Sequence, residues 1–181
     1  MRIISGIYKR RQLLYPKDMK ELRPTKDMVK EALFSILHGR IAGARFLDLC
    51  AGVGSIGFEA VSRGAQEVVF IDNNPTYIYK NAEALDCMSQ VRIYKNDASR
   101  AVDILKKKNE LFELIFIDPP YASKVVQDLL NNQSLVAILA PDGWVVVETA
   151  NDKALTFAHF SVLTERVYGS TKILILEKKH G

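Results

Sequence analysis

Phe46-Leu47-Asp48-Leu49-Cys50-Ala51-Gly52-Val53-Gly54-Ser55-Ile56-Gly57 begins as an apolar run, passes a glycine-rich turn and continues as a helical pattern. A strand that ends in glycines and turns directly into a helix is the opening unit of a parallel α/β sheet. The pattern recurs downstream. Strands are predicted at Phe46–Cys50, Val68–Ile71, Val91–Tyr94, Leu114–Ile117 and Trp144–Val147. Helices are predicted between them at Ser55–Arg63, Pro75–Leu85, Ala98–Lys107 and Val125–Leu139, the last with a break near Asn131-Asn132. Near-continuous apolar strands alternating with helices predict a parallel sheet covered on both faces. The tail departs from this rule. Phe160–Val167 and Lys172–Glu177 are joined through Tyr168-Gly169-Ser170-Thr171, too short for a crossover helix, so an antiparallel hairpin is expected.

The segment before this repeat has its own character. Arg2–Ser5 and Gln12–Tyr15 read as two short strands around a basic turn, and Thr25 as the N-cap of a helix over Lys26–Leu37. Its stripe is Met28, Val29, Ala32, Leu33, Ile36 and Leu37. Residues 1–30 carry nine bases and three acids, a net +6, whereas the whole chain is only +4. A basic arm on a near-neutral body is the footprint of a polyanion binder, and Tyr8 and Tyr15 among the bases could stack on nucleobases.

The chain's 181 residues suit one sizeable core. No run approaches a membrane span and no apolar signal core follows Met1, so a cytoplasmic protein is expected. Cys50 and Cys87 have no metal or disulfide spacing and are expected as buried small apolar groups. No metal site is expected. His38, His159 and His180 fall outside every motif, Lys106-Lys107-Lys108 reads as a solvated helix end, and Trp144 as a packing residue.

Gly52-Val53-Gly54-Ser55-Ile56-Gly57 fits G-x-G-x-x-G, and Asp72 follows Gly52 by 20 residues. Taken alone, this also fits a nicotinamide dinucleotide site, or a structural turn with no ligand. Two details favour S-adenosyl-L-methionine. Asp48 precedes the turn, where it would repel a pyrophosphate but suits an ammonium and a sulfonium. Asn96-Asp97-Ala98 follows the third strand, where Asp97 could accept from an adenine amine while Asp72 accepts from ribose. The expected cofactor residues are Asp48, Cys50, Ala51, Gly52, Gly54, Asp72, Asn73, Asp97 and Ala98.

Asp118-Pro119-Pro120-Tyr121 closes the fourth predicted strand. An exocyclic base amine is a poor nucleophile because its lone pair is delocalised into the ring. The Asp118 carboxylate and the Pro119 carbonyl, held outward by consecutive prolines, can accept its two N–H groups and free that lone pair. Tyr121 offers a flat face to the base. Orientation and fixed dipoles then supply the catalysis. The alternative is a proline turn with Asp118 as a cap. Methylation of a pyrimidine carbon is disfavoured, since no cysteine lies near Asp118 in the sequence.

With both motifs the chain resembles the RsmD family of bacterial 16S rRNA guanine-N2 methyltransferases. The resemblance runs nearly full length, through Arg2-Ile3-Ile4-Ser5-Gly6, Leu22-Arg23-Pro24-Thr25-Lys26-Asp27, Glu31-Ala32-Leu33-Phe34-Ser35-Ile36-Leu37, the glycine turn, Ser62-Arg63-Gly64-Ala65, Asp118–Tyr121 and Tyr168-Gly169-Ser170-Thr171. It implies an α/β, Rossmann-like class I methyltransferase fold with a seven-stranded, mostly parallel sheet and a C-terminal antiparallel hairpin. It implies residues 1–40 as a small N-terminal β-hairpin and helix extension that contacts RNA, and residues 41–181 as the methyltransferase domain. The implied donor is S-adenosyl-L-methionine. The implied acceptor is one guanine of 16S rRNA in the assembled or assembling small subunit. Asp118, Pro119, Pro120 and Tyr121 would act at the target amine, and Lys9, Arg10, Arg11, Arg23 and Thr25 on RNA. A monomer is expected. The chain departs from the family pattern at Ser5, Arg10, Met28 and Lys30, all in the RNA-facing segment.

Competing readings are an adenine-N6 or other amino-methyltransferase acting on nucleic acid, a glutamine methyltransferase, a dinucleotide oxidoreductase and a non-catalytic RNA-binding protein. The short connections leave no room for a DNA target-recognition insertion. A glutamine methyltransferase usually has Asn where Asp118 stands. An oxidoreductase leaves Asp118–Tyr121 unexplained, and no binding-only role requires Asp48, Asp72, Asp97 and Asp118 together.

Overall fold

The computed structural model describes residues 1–19, 24–119 and 123–180. Elements follow in the order α1 (Pro24–Ile36), β1 (Arg45–Leu49), α2 (Ser55–Ser62), β2 (Glu67–Asp72), α3 (Thr76–Ala84), β3 (Val91–Lys95), α4 (Ala98–Lys107), β4 (Phe112–Ile117), α5 (Ser123–Asn131), α6 (Gln133–Ile138), β5 (Leu139–Ala150), β6 (Phe160–Tyr168) and β7 (Thr171–Lys178). Seven strands form one sheet in the order β3-β2-β1-β4-β5-β7-β6. β3, β2, β1, β4 and β5 pair in parallel. β7 lies antiparallel between β5 and β6, which is the expected C-terminal hairpin.

The continuous apolar strands follow from burial on both faces. Phe46, Val68, Phe70, Leu114, Phe116 and Val146 point to the face covered by α1, α2 and α3. Their neighbours Leu47, Val69, Ile71, Ile115, Ile117, Val145 and Val147 point to the face covered by α4, α5 and α6. Ile3 and Leu13 join the first of these clusters, so the N-terminal segment shares the sheet's core. Helix α4 shows how local sequence meets that demand. Asp97 caps it by accepting from Arg100 N at 2.8 Å, and Ala98, Ala101, Val102 and Leu105 form its buried stripe. Lys106 and Lys107 occupy its last turn, where cations suit the helix dipole.

The expected break in the helix over 125–139 falls at Asn132, which leaves helical geometry and accepts from Ser134 N to start α6. Other expected boundaries move. Helix α1 starts at Pro24, so Thr25 lies in its first turn rather than capping it. The N-terminal pair of strands reduces to a single bridge, Arg2 with Gln12. Its backbone groups are drawn elsewhere: Ile4 N and Ser5 N donate to Glu59 and Leu14 N to Asn81 Oδ1, while in the turn between them Ile7 N donates to Ser62 O and Tyr8 N to Ser62 Oγ. Among the described residues, no helix is long and apolar enough to cross a membrane.

Candidate active site

Strand order reverses between β1 and β4, so the C-terminal ends of these strands open onto a topological switch point, the usual ligand site of an open α/β sheet. A cavity of about 500 Å³ lies there. This is within the roughly 300–1,000 Å³ of small-molecule sites. Strand register explains its lining. Leu49 pairs with both Ile71 and Ile117, and Ile117 pairs with Val147. One step further along, Asp72, Cys50, Asp118 and Glu148 form a row across the four neighbouring strands β2, β1, β4 and β5. All four line the cavity. Helix α1 supplies the opposite wall with Lys26, Asp27, Val29 and Lys30, and Met1 and Met19 close it from the N-terminal segment.

The glycine turn is held by carboxylates beneath it and beside it. Asp48 is buried and accepts from Gly57 N at 3.0 Å, tying β1 to the first turn of α2. Burial, with the charges of Asp118 and Asp72 added, pushes its proton affinity well above the usual carboxylate range. Asp72 accepts from Gly52 N at 2.7 Å and Asn74 N at 2.8 Å while still facing the cavity. Gly54 has φ 91°. At Gly57 a Cβ would lie 2.2 Å from the Phe70 ring, so helix and sheet can approach this closely only without a side chain. Cys50 carries the turn's strain, with φ 60° at a residue other than glycine.

Cys50 departs from the expected buried position. It is half-buried on the cavity wall, because its left-handed backbone ends the strand there; Cys87 is buried as expected. Burial pushes the Cys50 thiol up to about 12, with the charges of Asp48, Asp72, Asp118 and Asp97 adding to the effect. That thiol is no nucleophile at neutral pH.

Of the expected cofactor residues, Cys50, Ala51, Gly52 and Asp72 line the cavity. Asp48 and Gly54 support the turn beneath it. Asn73 and Asp97 are exposed and Ala98 is buried in α4, to the side of the cavity. Asp118 and Pro119 are half-buried at the end of β4, with Asp118 on the cavity. Pro120, Tyr121 and Arg23, and the side chain of Thr25, lie outside the described residues. Lys9, Arg10 and Arg11 are exposed on the N-terminal turn, with Arg11 donating to Ala84 O at 2.6 Å. Arg2 is paired with Asp27 at 3.4 Å, and Lys30 is buried, so the exposed basic footprint is smaller than the sequence count.

Two features escaped the sequence motifs. Glu148 ends β5's apolar run as Asp118 ends that of β4, and this repeated acid after a buried strand was the available signal. Asp118 is raised to about 7 by burial first and the Glu148 charge second, with Lys26 opposing. Glu148 is likewise raised by burial, with Lys26 opposing. The second feature is a buried ion pair. Glu59 is fully buried and accepts from Ile4 N (2.9 Å), Ser5 N (3.0 Å) and Arg63 Nε (3.0 Å), with Lys30 Nζ at 3.5 Å. Lys30 also donates to Arg2 O at 2.7 Å and Ser55 Oγ at 3.1 Å, placing a cation at the cavity beside the start of α2.

The parallel sheet with its antiparallel β7, and the carboxylate row at the switch point, define the class as a Rossmann-like methyltransferase. The solved structure of Escherichia coli yhhF superposes with a TM-score of 0.82 at 28% identity, covering 100% of this chain and 99% of that one. The chain belongs to the RsmD family: the family model described as conserved hypothetical protein 95 matches residues 1–177. The Haemophilus influenzae protein named ribosomal RNA small subunit methyltransferase D is 35% identical, over 93% of this chain and 89% of its own length. The fold is also that of the Thermus thermophilus 16S rRNA N2 methyltransferase RsmC, solved in complex with AdoMet and guanosine. That match has a TM-score of 0.69 at 23% identity, over 90% of this chain and 45% of that one.

Proposed function

We propose that the protein transfers a methyl group from S-adenosyl-L-methionine to the exocyclic N2 amine of one guanine in 16S rRNA, within the assembled or assembling small subunit in the cytoplasm. The observation that carries this reading is the row Asp72, Cys50, Asp118 and Glu148 at the switch point of a chain in the RsmD family. The named relative is a small-subunit rRNA methyltransferase, and the RsmC structure holds the same donor with guanosine.

The cavity suits that donor, which brings a methyl group on a positively charged sulfur. Its walls are unequal: carboxylates stand along the strand ends, and on α1 stand Lys26 and Lys30, with Asp27 there paired to Arg2. A zwitterion fits such a division, with its ammonium and sulfonium toward the ends of β1 and β2, where Asp48 and Asp72 stand, and its carboxylate toward Lys30. Asp72 is placed for the ribose hydroxyls, and Asp97 stands beyond β3 for the adenine amine. A dinucleotide fits poorly, since Asp72, Asp118 and Glu148 would repel a pyrophosphate.

The residues at β4 then act on the acceptor. Asp118 accepts one N–H of the amine and the Pro119 carbonyl the other, so the lone pair is turned out of the ring. Burial excludes water and strengthens both contacts. As the lone pair takes the methyl carbon, the donor's carbon–sulfur bond would break, its electrons returning to sulfur so that S-adenosyl-L-homocysteine leaves as a neutral thioether; the methylated amine then carries one proton too many and releases it to the Asp118 carboxylate, whose proton affinity is already raised. Tyr121 would stack on the base. Lys9, Arg10, Arg11, Arg23 and Thr25 would hold the surrounding RNA, with residues 1–40 as the RNA-contacting extension and the protein acting as a monomer.

The test is transfer of labelled methyl from S-adenosyl-L-methionine to small ribosomal subunits that lack this modification, followed by nucleoside analysis. Labelled N2-methylguanosine is expected. Label confined to N6-methyladenosine, or no transfer by protein that binds the donor, would overturn the reading.

A further inference from the structure

Glu148 belongs to none of the sequence motifs, yet the register of β4 and β5 seats it next to Asp118, one step beyond the pair Ile117–Val147. Residues paired in a ladder point to the same face of the sheet. Both side chains line the cavity. Among the described residues, no hydrogen bond reaches either carboxylate. Lys26, from the first turn of α1, is the cation whose charge acts on both. Two half-buried carboxylates facing one exposed ammonium form a site with acceptors in excess. Such a site is satisfied by a ligand that brings N–H donors.

We propose that Asp118 and Glu148 together read the target base, accepting two adjacent N–H groups: one from the exocyclic amine and one from the ring nitrogen beside it. This rests on the function proposed above and narrows it. Guanine offers that edge, since its N2 amine adjoins N1–H. The amines of adenine and cytosine adjoin a ring nitrogen that bears a lone pair. Facing Glu148, that lone pair would meet a carboxylate oxygen, and the buried acceptor would go unpaired. The pair therefore selects guanine over the other amino bases by repulsion as well as by attraction.

Glu148 also acts through its neighbour. Asp118 shares the cavity with Glu148 from β5, Lys26, Asp27 and Lys30 from α1, the Cys50 thiol after β1 and Asp72 from β2, and its charge acts on Asp48 beneath the turn. Burial and the Glu148 charge raise its proton affinity. An ionised Asp118 is the better acceptor, so activity is lost as pH falls through its titration. Removing the Glu148 charge removes one raising influence and moves that acid limb to lower pH.

The experiment compares unaltered protein with Glu148→Gln and Glu148→Asp, using labelled methyl transfer to small subunits lacking the modification. If the unaltered protein forms no N2-methylguanosine, the function proposed above fails, and with it the guanine reading. With that activity present, Glu148→Gln should lower kcat/KM about 10- to 100-fold, the worth of a hydrogen bond to a charged group. Its acid limb should move to lower pH, donor affinity by calorimetry should stay near that of the unaltered protein, and Glu148→Asp should recover part of the rate. Wild-type kcat/KM with an unmoved acid limb in Glu148→Gln overturns the proposal. Should the variants fail to fold, the unaltered protein decides. Subunits reconstituted with 2-aminopurine at the target keep the amine but lack the N1 proton. They should be methylated at least about tenfold more slowly than guanine subunits, and equal rates overturn the proposal.

Discussion

Replacing Glu59 by Gln tests what holds the N-terminal segment to the methyltransferase body. Glu59 is fully buried on α2, and its carboxylate takes N–H groups from Ile4, Ser5 and Arg63 while balancing buried Lys30. Glutamine keeps the shape but not the charge. Its amide also replaces one acceptor with a donor, which then faces either the Ile4 N–H and the Lys30 ammonium or the Ser5 N–H and Arg63 Nε. Breaking one half of a buried ion pair costs about 3–5 kcal/mol. For a chain of this size each kcal/mol lowers Tm by roughly 2–4 °C, so a fall of about 10 °C is expected. Calorimetric unfolding gives the first reading. Hydrogen exchange at the Ile4 and Ser5 amides gives the second, and their protection should drop well before global unfolding. Adding Lys30→Met should restore part of the loss, because the uncompensated cation is then gone; the pair will not be additive. A Tm within about 2 °C of wild type, with both amides still protected, would refute the reasoning.

Gly57→Ala sets two effects against each other. Alanine favours a helix by about 1 kcal/mol. Its Cβ would lie 2.2 Å from the Phe70 ring, which packs on Phe58 at 4.7 Å between centroids and cannot yield freely. Overpacking of about 1–3 kcal/mol should win, seen as a lower Tm and weaker donor binding by calorimetry. Asp118→Ala should abolish methyl transfer while donor affinity stays within a few fold, and comparable activity would remove the assigned role. Arg10→Glu with Arg11→Glu should weaken RNA binding and flatten its salt dependence by roughly one to two in the log–log slope; an unchanged slope would take the N-terminal turn off the RNA surface. At the opposite end of the sheet, Arg45 and Arg92 bridge Glu67 and Glu110, and Glu110 is lowered from 4.5 to about 2, chiefly by its hydrogen bond to Arg92. A lowered folded pKa gives stability that is fully present above 4.5 and lost as pH falls toward 2. Glu110→Gln should therefore be about 2 kcal/mol less stable at pH 7 in urea unfolding, and the gap should close across that acid window.

What the sequence determined is what short-range chemistry dictates. The period of the apolar runs marked five parallel strands and the closing hairpin, since burial on both faces leaves no polar alternation. Helix α4 was legible to the residue because its cap, stripe and basic last turn all lie within its own stretch. The glycine turn and Asp118 could be picked out because each closes an apolar strand within its own stretch, and both line the cavity. Tertiary structure decided the partnerships. Glu148 stands beside Asp118 because β5 pairs with β4, a register set by packing over long sequence distances. Cys50 turns onto the cavity wall because its left-handed backbone is enforced by the turn beyond it. The N-terminal strands reduced to one bridge because Glu59 captured the N–H groups of Ile4 and Ser5, and Asn81 that of Leu14, each more than fifty residues away. The same docking withdrew Lys30 from the basic arm and made it a wall of the cavity. A residue's charge is written in the sequence, but the groups that face it depend on which elements the core brings together.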